Sequence, residues 1–245
     1  MQPRLHISPN KTELINATAE IIVAAISEAI RLRDKCAIAL SGGSTPREVY
    51  EKLAQESFRA RIDWPRVYWF WGDERMVPPE HSESNYRMTR EALLAHVPAP
   101  ASNVHRIKGE LSPPQAAQNY RATLEAFFKP EEKNFDLILL GLGEDGHTAS
   151  LFPETTALHE TKQSVTEVFV PKLDKWRVTL TLPLINRARK IIFLVAGKSK
   201  AEITAGVLSL QQPELKWPAS LVQPHAGELH WLLDDEAAAR LDAAS

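Results

Sequence analysis

One cysteine stands among 245 residues, so no internal disulfide can staple this fold. Cys36 heads the apolar run Ala37-Ile38-Ala39-Leu40 and reads as a buried, reduced thiol rather than a nucleophile, which fits a cytoplasmic protein. A basic surplus is missing as well. The 29 Lys and Arg stand against 31 Asp and Glu for a formal net charge of -2, and they are scattered rather than blocked, which excludes a nucleic-acid footprint. Any anionic partner must be small and locally bound. No apolar run is long: the stretch from Ile21 to Ile30 is broken by Ser27 and Glu28, well short of the roughly 20 residues a membrane span needs. Met1-Gln2-Pro3-Arg4-Leu5-His6 lacks the basic-then-apolar design of a secretion signal, so no membrane partner is expected. Also absent are a G-x-S-x-G elbow and an H-E-x-x-H zinc site, and the expected chemistry requires neither metal nor cofactor. With no repeat, low-complexity tract or linker, residues 1–245 read as a single domain able to bury a substantial core.

What is present is an alternation of strand and helix patterns. Leu14, Ile15, Ala19, Ile22, Val23, Ile26 and Ile30 recur at helical spacing and predict a long amphipathic helix over Thr12 to Arg33, capped by Asn10 or Thr12. Short apolar runs at Ala37 to Leu40, Val67 to Trp71, Asp136 to Leu140, Ile191 to Ala196 and Leu229 to Leu233 read as strands. Helical patterns fall between several of them, at Pro46 to Ala60, Asn85 to His96, Pro114 to Phe128 and Ser199 to Leu210. The expected class is α/β, a mainly parallel sheet with helices on both faces. Arg177 to Leu182 differs, because Val178, Leu180 and Leu182 alternate with Arg177, Thr179 and Thr181 and leave one face polar. Val165 to Val170 is expected to pair with it as a hairpin.

Ligands of open parallel sheets bind at the carboxyl ends of the strands, and several such ends here carry reactive or anion-binding residues. In Ser41-Gly42-Gly43-Ser44-Thr45-Pro46 the glycines permit positive φ and close backbone approach, the hydroxyls can donate, and Pro46 suits the first helical position. Such a loop attracts a phosphate, or else Ser44 or Thr45 is a plain cap. No Gly-Lys-Ser/Thr follows it, so a monophosphate fits better than a triphosphate. Gly197-Lys198-Ser199-Lys200 repeats the strand, turn and helix order. Lysines at a helix start oppose the macrodipole, so Lys198 and Lys200 either meet an anion or are simply solvated. Arg177 could supply a bidentate fork to the same anion. In Gly72-Asp73-Glu74-Arg75, Asp73 and Arg75 are either site residues or an ion pair pinning the loop, and Asn85 either faces the site or caps a helix.

Gly141, Gly143 and Gly146 spell a dinucleotide fingerprint, yet Glu144 and Asp145 lie inside the loop and Pro153 limits any helix opening at Thr148. The better reading is His147 as general acid or base, with Asp145 fixing its tautomer.

Leu40-Ser41-Gly42-Gly43-Ser44-Thr45-Pro46, Trp71-Gly72-Asp73-Glu74-Arg75, Gly141 to Ser150, and Arg177 to Pro183 with Lys200-Ala201 beyond together resemble the 6-phosphogluconolactonase family, over essentially the whole chain and in the same order. The resemblance implies a Rossmann-like fold shared with glucosamine-6-phosphate deaminases. It also implies hydrolysis of 6-phospho-D-glucono-1,5-lactone to 6-phosphogluconate in the oxidative pentose phosphate pathway. On that reading His147, Asp145 and Arg75 are catalytic, while Gly42, Gly43, Ser44, Thr45, Asp73, Asn85, Arg177 and Lys200 bind a phosphosugar lactone, with no obligate protein partner. Two alternatives are an amino-sugar phosphate isomerase-deaminase using Asp73 as base, and a non-catalytic sugar-phosphate sensor.

Overall fold

A strand whose every residue is buried can lie only in the interior of a sheet covered on both faces, and Cys36–Leu40 is such a strand. The computed structural model describes residues 3–128 and 134–241. Met1 and Gln2 of the segment read against a secretion signal lie outside the described residues. In chain order the strands are β1 (Arg4–Ser8), β2 (Cys36–Leu40), β3 (Val67–Trp71), β4 (Asp73–Arg75), β5 (Leu137–Leu140), β6 (Val165–Val170), β7 (Lys175–Leu180), β8 (Lys190–Val195) and β9 (Glu228–Asp234). The helices are α1 (Lys11–Arg33), α2 (Ser44–Leu53), α3 (Glu56–Arg59), α4 (Asn85–Thr89), α5 (Pro113–Phe127), α6 (Leu182–Ile185), α7 (Ala201–Leu208) and α8 (Asp235–Ala238).

Six strands form a sheet in the order β1-β9-β8-β5-β2-β3, with every neighbouring pair parallel. The expected α/β class with a mainly parallel sheet is therefore what the structure shows. A second, antiparallel sheet, β4-β7-β6, contains the expected hairpin of β6 and β7. The two sheets meet at Gly72: its N–H donates to the Leu40 carbonyl at 2.8 Å, and its own carbonyl accepts from Leu180 N at 2.8 Å. The chain thus leaves the parallel sheet at Trp71 and enters the antiparallel one at Asp73. One hydrophobic core, including Ile38, Phe193 and Trp231 as well as Val168 and Val178, runs through both sheets. Cys36 belongs to it as a free thiol, raised well above its ordinary pKa by burial.

Local chemistry sets the element ends. The Asn10 side chain accepts from Glu13 N and starts α1, and Asp34 in the left-handed region ends it. The pattern expected as one helix from Pro46 breaks after Leu53 and resumes briefly as α3. Ser44 and Thr45, not Pro46, open α2, whose preceding residue Gly43 holds φ at 112° and provides no side-chain cap. The polar face of β7 turns inward at its far end: Thr179 is buried, and its hydroxyl accepts from Ser150 N at 3.2 Å and donates to the Leu180 carbonyl.

Two buried tyrosines fasten helices to strand ends. Tyr50 of α2 accepts from Ser41 N at 3.1 Å and donates to Ser41 O at 2.9 Å, and Tyr120 of α5 does the same for Trp71 N and O. Removing the hydroxyl leaves a buried donor and acceptor without their partner. Tyr50→Phe is therefore expected to lose about 1–3 kcal/mol in urea unfolding, and an unchanged midpoint would refute this role.

Candidate active site

Parallel strands deliver their carboxyl ends to one edge, so the segments after β2, β3, β5 and β8 converge there. With Arg177 of β7 they enclose a cleft of about 290 Å³. Gly42, Gly43, Ser44, Thr45, Asp73, Arg75, Asn85, His147, Arg177 and Lys200 all line it, and Asp145 stands behind His147. Of the two candidate lysines, Lys200 lines the cleft and Lys198 does not. Burial lowers the Lys200 ammonium, with Glu144 opposing.

Arg75 and Arg177 are direct cross-strand partners in the antiparallel sheet, a pairing of like charges that is unfavourable in itself. Arg75 Nη1 donates to the Glu83 carbonyl at 2.6 Å, and Arg177 Nη1 lies 3.8 Å from Asp73 Oδ2. The Nε of each is buried and bonds to no protein group, as is Ser41 Oγ. A small anion in the cleft would answer both the repulsion and these free donors.

Among the described residues the alternative reading, an ion pair of Asp73 with Arg75, is not formed, and the carboxylate's ion-pair partner is Arg177. Asp73 instead accepts from Ser150 Oγ at 2.7 Å and from Asn85 Nδ2 at 3.3 Å. Asn85 therefore faces the site, and Ser84 is the cap of α4, accepting from Arg87 N. Sequence reasoning passed over Glu74, which is 2 % exposed and accepts from the N–H groups of Arg75, Asn85 and Tyr86, each at 2.8 Å, and from Ser84 Oγ. Strand alternation could have found it, since a strand over Asp-Glu-Arg puts residue 74 opposite residues 73 and 75. Burial raises the Glu74 carboxyl above its ordinary value, and those three N–H groups offset only part of the rise.

His147 has its imidazole held at one nitrogen and against one face. Its Nδ1 lies 2.5 Å from Asp145 Oδ1, its own N–H donates to that oxygen, and its ring stacks on Phe152 with centroids 3.9 Å apart. The Lys172 ammonium bonds the other oxygen of Asp145. Burial pushes the imidazole down to about 4, with Asp73 opposing and Arg177, Lys200 and Arg75 reinforcing. It is neutral at pH 7. A carboxylate can only accept, so the bond to Asp145 assigns the proton to Nδ1 and leaves the Nε2 lone pair as a base. No helix opens directly after Gly146, and the next pairing is a bridge between Thr148 and Leu151, which agrees with rejecting the dinucleotide fingerprint.

The geometry defines a class: an α/β protein with a cationic cleft and a poised imidazole at the carboxyl edge of a parallel sheet. The family described as glucosamine-6-phosphate isomerases/6-phosphogluconolactonase matches residues 9–231, and the chain belongs to it. A 6-phosphogluconolactonase from Synechocystis is 42 % identical over 98 % of this chain and 99 % of its own length. The solved 6-phosphogluconolactonase of Trypanosoma brucei superposes with a TM-score of 0.87 at 32 % identity, covering 98 % of this chain and 99 % of that one. A monomeric glucosamine-6-phosphate deaminase shares the fold at a TM-score of 0.82 and 20 % identity, over 96 % and 99 % of the two chains.

Gly143 shows how closely the loop is fitted. A Cβ there would lie 2.0 Å from His147 Nδ1 and 2.8 Å from Asp145 Oδ1. Gly143→Ala is expected to displace the imidazole and lower kcat roughly 100-fold while the chain still folds. Steady-state kinetics beside a circular-dichroism melt checks this, and near-normal kcat would contradict it.

Proposed function

We propose that this chain hydrolyses 6-phospho-D-glucono-1,5-lactone to 6-phosphogluconate, the lactone-opening step of the oxidative pentose phosphate pathway. The observation that carries the reading is a neutral imidazole with a free Nε2 in one cleft with Arg75, Arg177 and Lys200. Relatives named for this activity and aligned along nearly their full length support it. In the same proposal residues 1–245 act as one domain, the substrate is the only partner, and the chain resides in the cytoplasm. The continuous core supports the single domain, and the buried, free Cys36 is in keeping with a reducing compartment. Among the described residues no helix is long and apolar enough to cross a membrane.

The phosphate is placed against Arg177, Lys200 and the start of α2 at Ser44 and Thr45, where backbone N–H groups lack helical partners. The ester carbonyl then lies toward His147. Nε2 takes a proton from water as its oxygen bonds to the carbonyl carbon, and Arg75 faces the oxyanion that develops. Collapse breaks the bond to the ring oxygen, which receives the proton from Nε2, and the carboxylic acid formed ionises to carboxylate. Asp73 is a poorer candidate base, because its carboxylate is engaged by Ser150, Asn85 and Arg177.

His147→Ala is expected to lower kcat by roughly 10²–10⁴-fold. Arg177→Ala and Lys200→Ala should mainly raise KM for the phosphorylated lactone and leave unphosphorylated gluconolactone little affected. Assays subtract the spontaneous rate, and near-normal kcat in His147→Ala, or release of ammonia from glucosamine 6-phosphate by the wild type, would sink the reading. The titration of His147 offers a second test. Its base form is lost as pH falls through about 4. Two of the three cations that hold it down are the proposed phosphate ligands, so product bound there should move the midpoint upward. NMR titration of the imidazole with and without 6-phosphogluconate checks both points. A free-chain midpoint near the ordinary 6.5 would contradict the first, and a downward shift would contradict the second.

A further inference from the structure

The tip of the hairpin between β6 and β7 leans onto the catalytic loop from outside the cleft. We infer that Lys172, in the turn Pro171–Leu173, is a positioning residue that locks Asp145 and thereby fixes the tautomer and aim of His147; this rests on the lactonase reading above. Asp145 divides its oxygens: Oδ1 accepts from the N–H and Nδ1 of His147, and Oδ2 is bonded by the Lys172 ammonium. Without a partner on Oδ2 the carboxyl group could swing about its terminal torsion, which is broad and nearly two-fold. The bond from Lys172 removes that freedom.

The same ammonium lies 5.2 Å from the centre of the Phe152 ring, and that ring stacks on the His147 imidazole. One cation therefore bears on both groups that hold the imidazole, the carboxylate on its Nδ1 and the aromatic plane against its face. Asp174, left-handed at φ 49°, ends the turn, and Lys175 beyond it donates to both oxygens of Glu83, whose carbonyl holds Arg75. The hairpin tip is thus tied just beyond Lys172, close to the ammonium that bonds Asp145. The Lys172 side chain is 53 % exposed, and an ion pair so open contributes little to folding. Its consequence falls on geometry instead.

The test compares wild type, Lys172→Met, Lys172→Arg, Asp145→Asn and the Lys172→Met/Asp145→Asn double variant on 6-phosphogluconolactone, with thermal melts alongside. Lys172→Met keeps the hydrocarbon stem and is expected to lower kcat roughly tenfold while KM stays within about twofold. Its melting temperature should stay near that of wild type, and Lys172→Arg should restore most of the rate. In the Asp145→Asn background the Lys172→Met change should add nothing, because its route through the carboxylate is already lost. Imidazole ¹⁵N shifts should report protonated Nδ1 in wild type and a mixture of tautomers in Lys172→Met. Unchanged kcat and ¹⁵N shifts in Lys172→Met, or losses that multiply in the double variant, would overturn the inference while leaving the lactonase reading intact. A rise in KM confined to the phosphorylated substrate would also overturn it, by making Lys172 a phosphate ligand. A wild-type chain that does not hydrolyse the lactone overturns both.

Discussion

Two arginines paired in register across adjacent strands are the constraint around which this molecule is arranged. Like charges placed directly opposite one another on neighbouring strands repel. Arg75 and Arg177 sit opposite one another in register, and the fold holds them there by other bonds. Asp73 supplies a nearby negative charge. The Glu83 carbonyl takes one hydrogen bond from Arg75, and buried Glu74 gathers the backbone of residues 75, 85 and 86 around itself. The small antiparallel sheet is the scaffold that makes this possible. Its junction at Gly72 ties the strands of the opposed arginines to the end of the parallel sheet.

The imidazole is governed by the opposite logic. Where the arginines keep donors free, His147 has one nitrogen and one face already occupied, so only the chemistry of its remaining nitrogen is open. Its neutrality follows from burial and from the cations nearby. Anion recognition and proton transfer are therefore electrostatically linked: a charge that satisfies the cations also makes the base stronger.

The strands of the parallel sheet were legible because burial on both faces demands uninterrupted apolar runs, and β3 matches its expected bounds from Val67 to Trp71 residue for residue. The hairpin was legible from alternation. β1 was not, because an edge strand exposed at residues 4–7 has no buried face to write into its pattern. β4 was hidden for another reason. Asp-Glu-Arg reads as a polar loop, and its pairing comes from Val178 and its neighbours on a distant strand rather than from its own hydropathy. Most residues gathered in the cleft were legible because glycine-containing turns after apolar runs mark strand ends, while Arg177 was read from strand alternation and Asn85 from a helix start. Lys172 and Glu74 escaped, since one acts from a stretch without period and the other from within a motif whose remaining letters drew the attention.

The parallel sheet is closed at one side by β1 pairing with β9, segments more than two hundred positions apart in the chain. On the ribosome, at about 5–20 residues per second, residues 4–8 therefore wait on the order of 10–45 s for residues 228–234 to be made. During that interval Leu5 and Ile7 travel with no strand to join, and the nascent chain carries a ready β-segment that must be kept from pairing elsewhere.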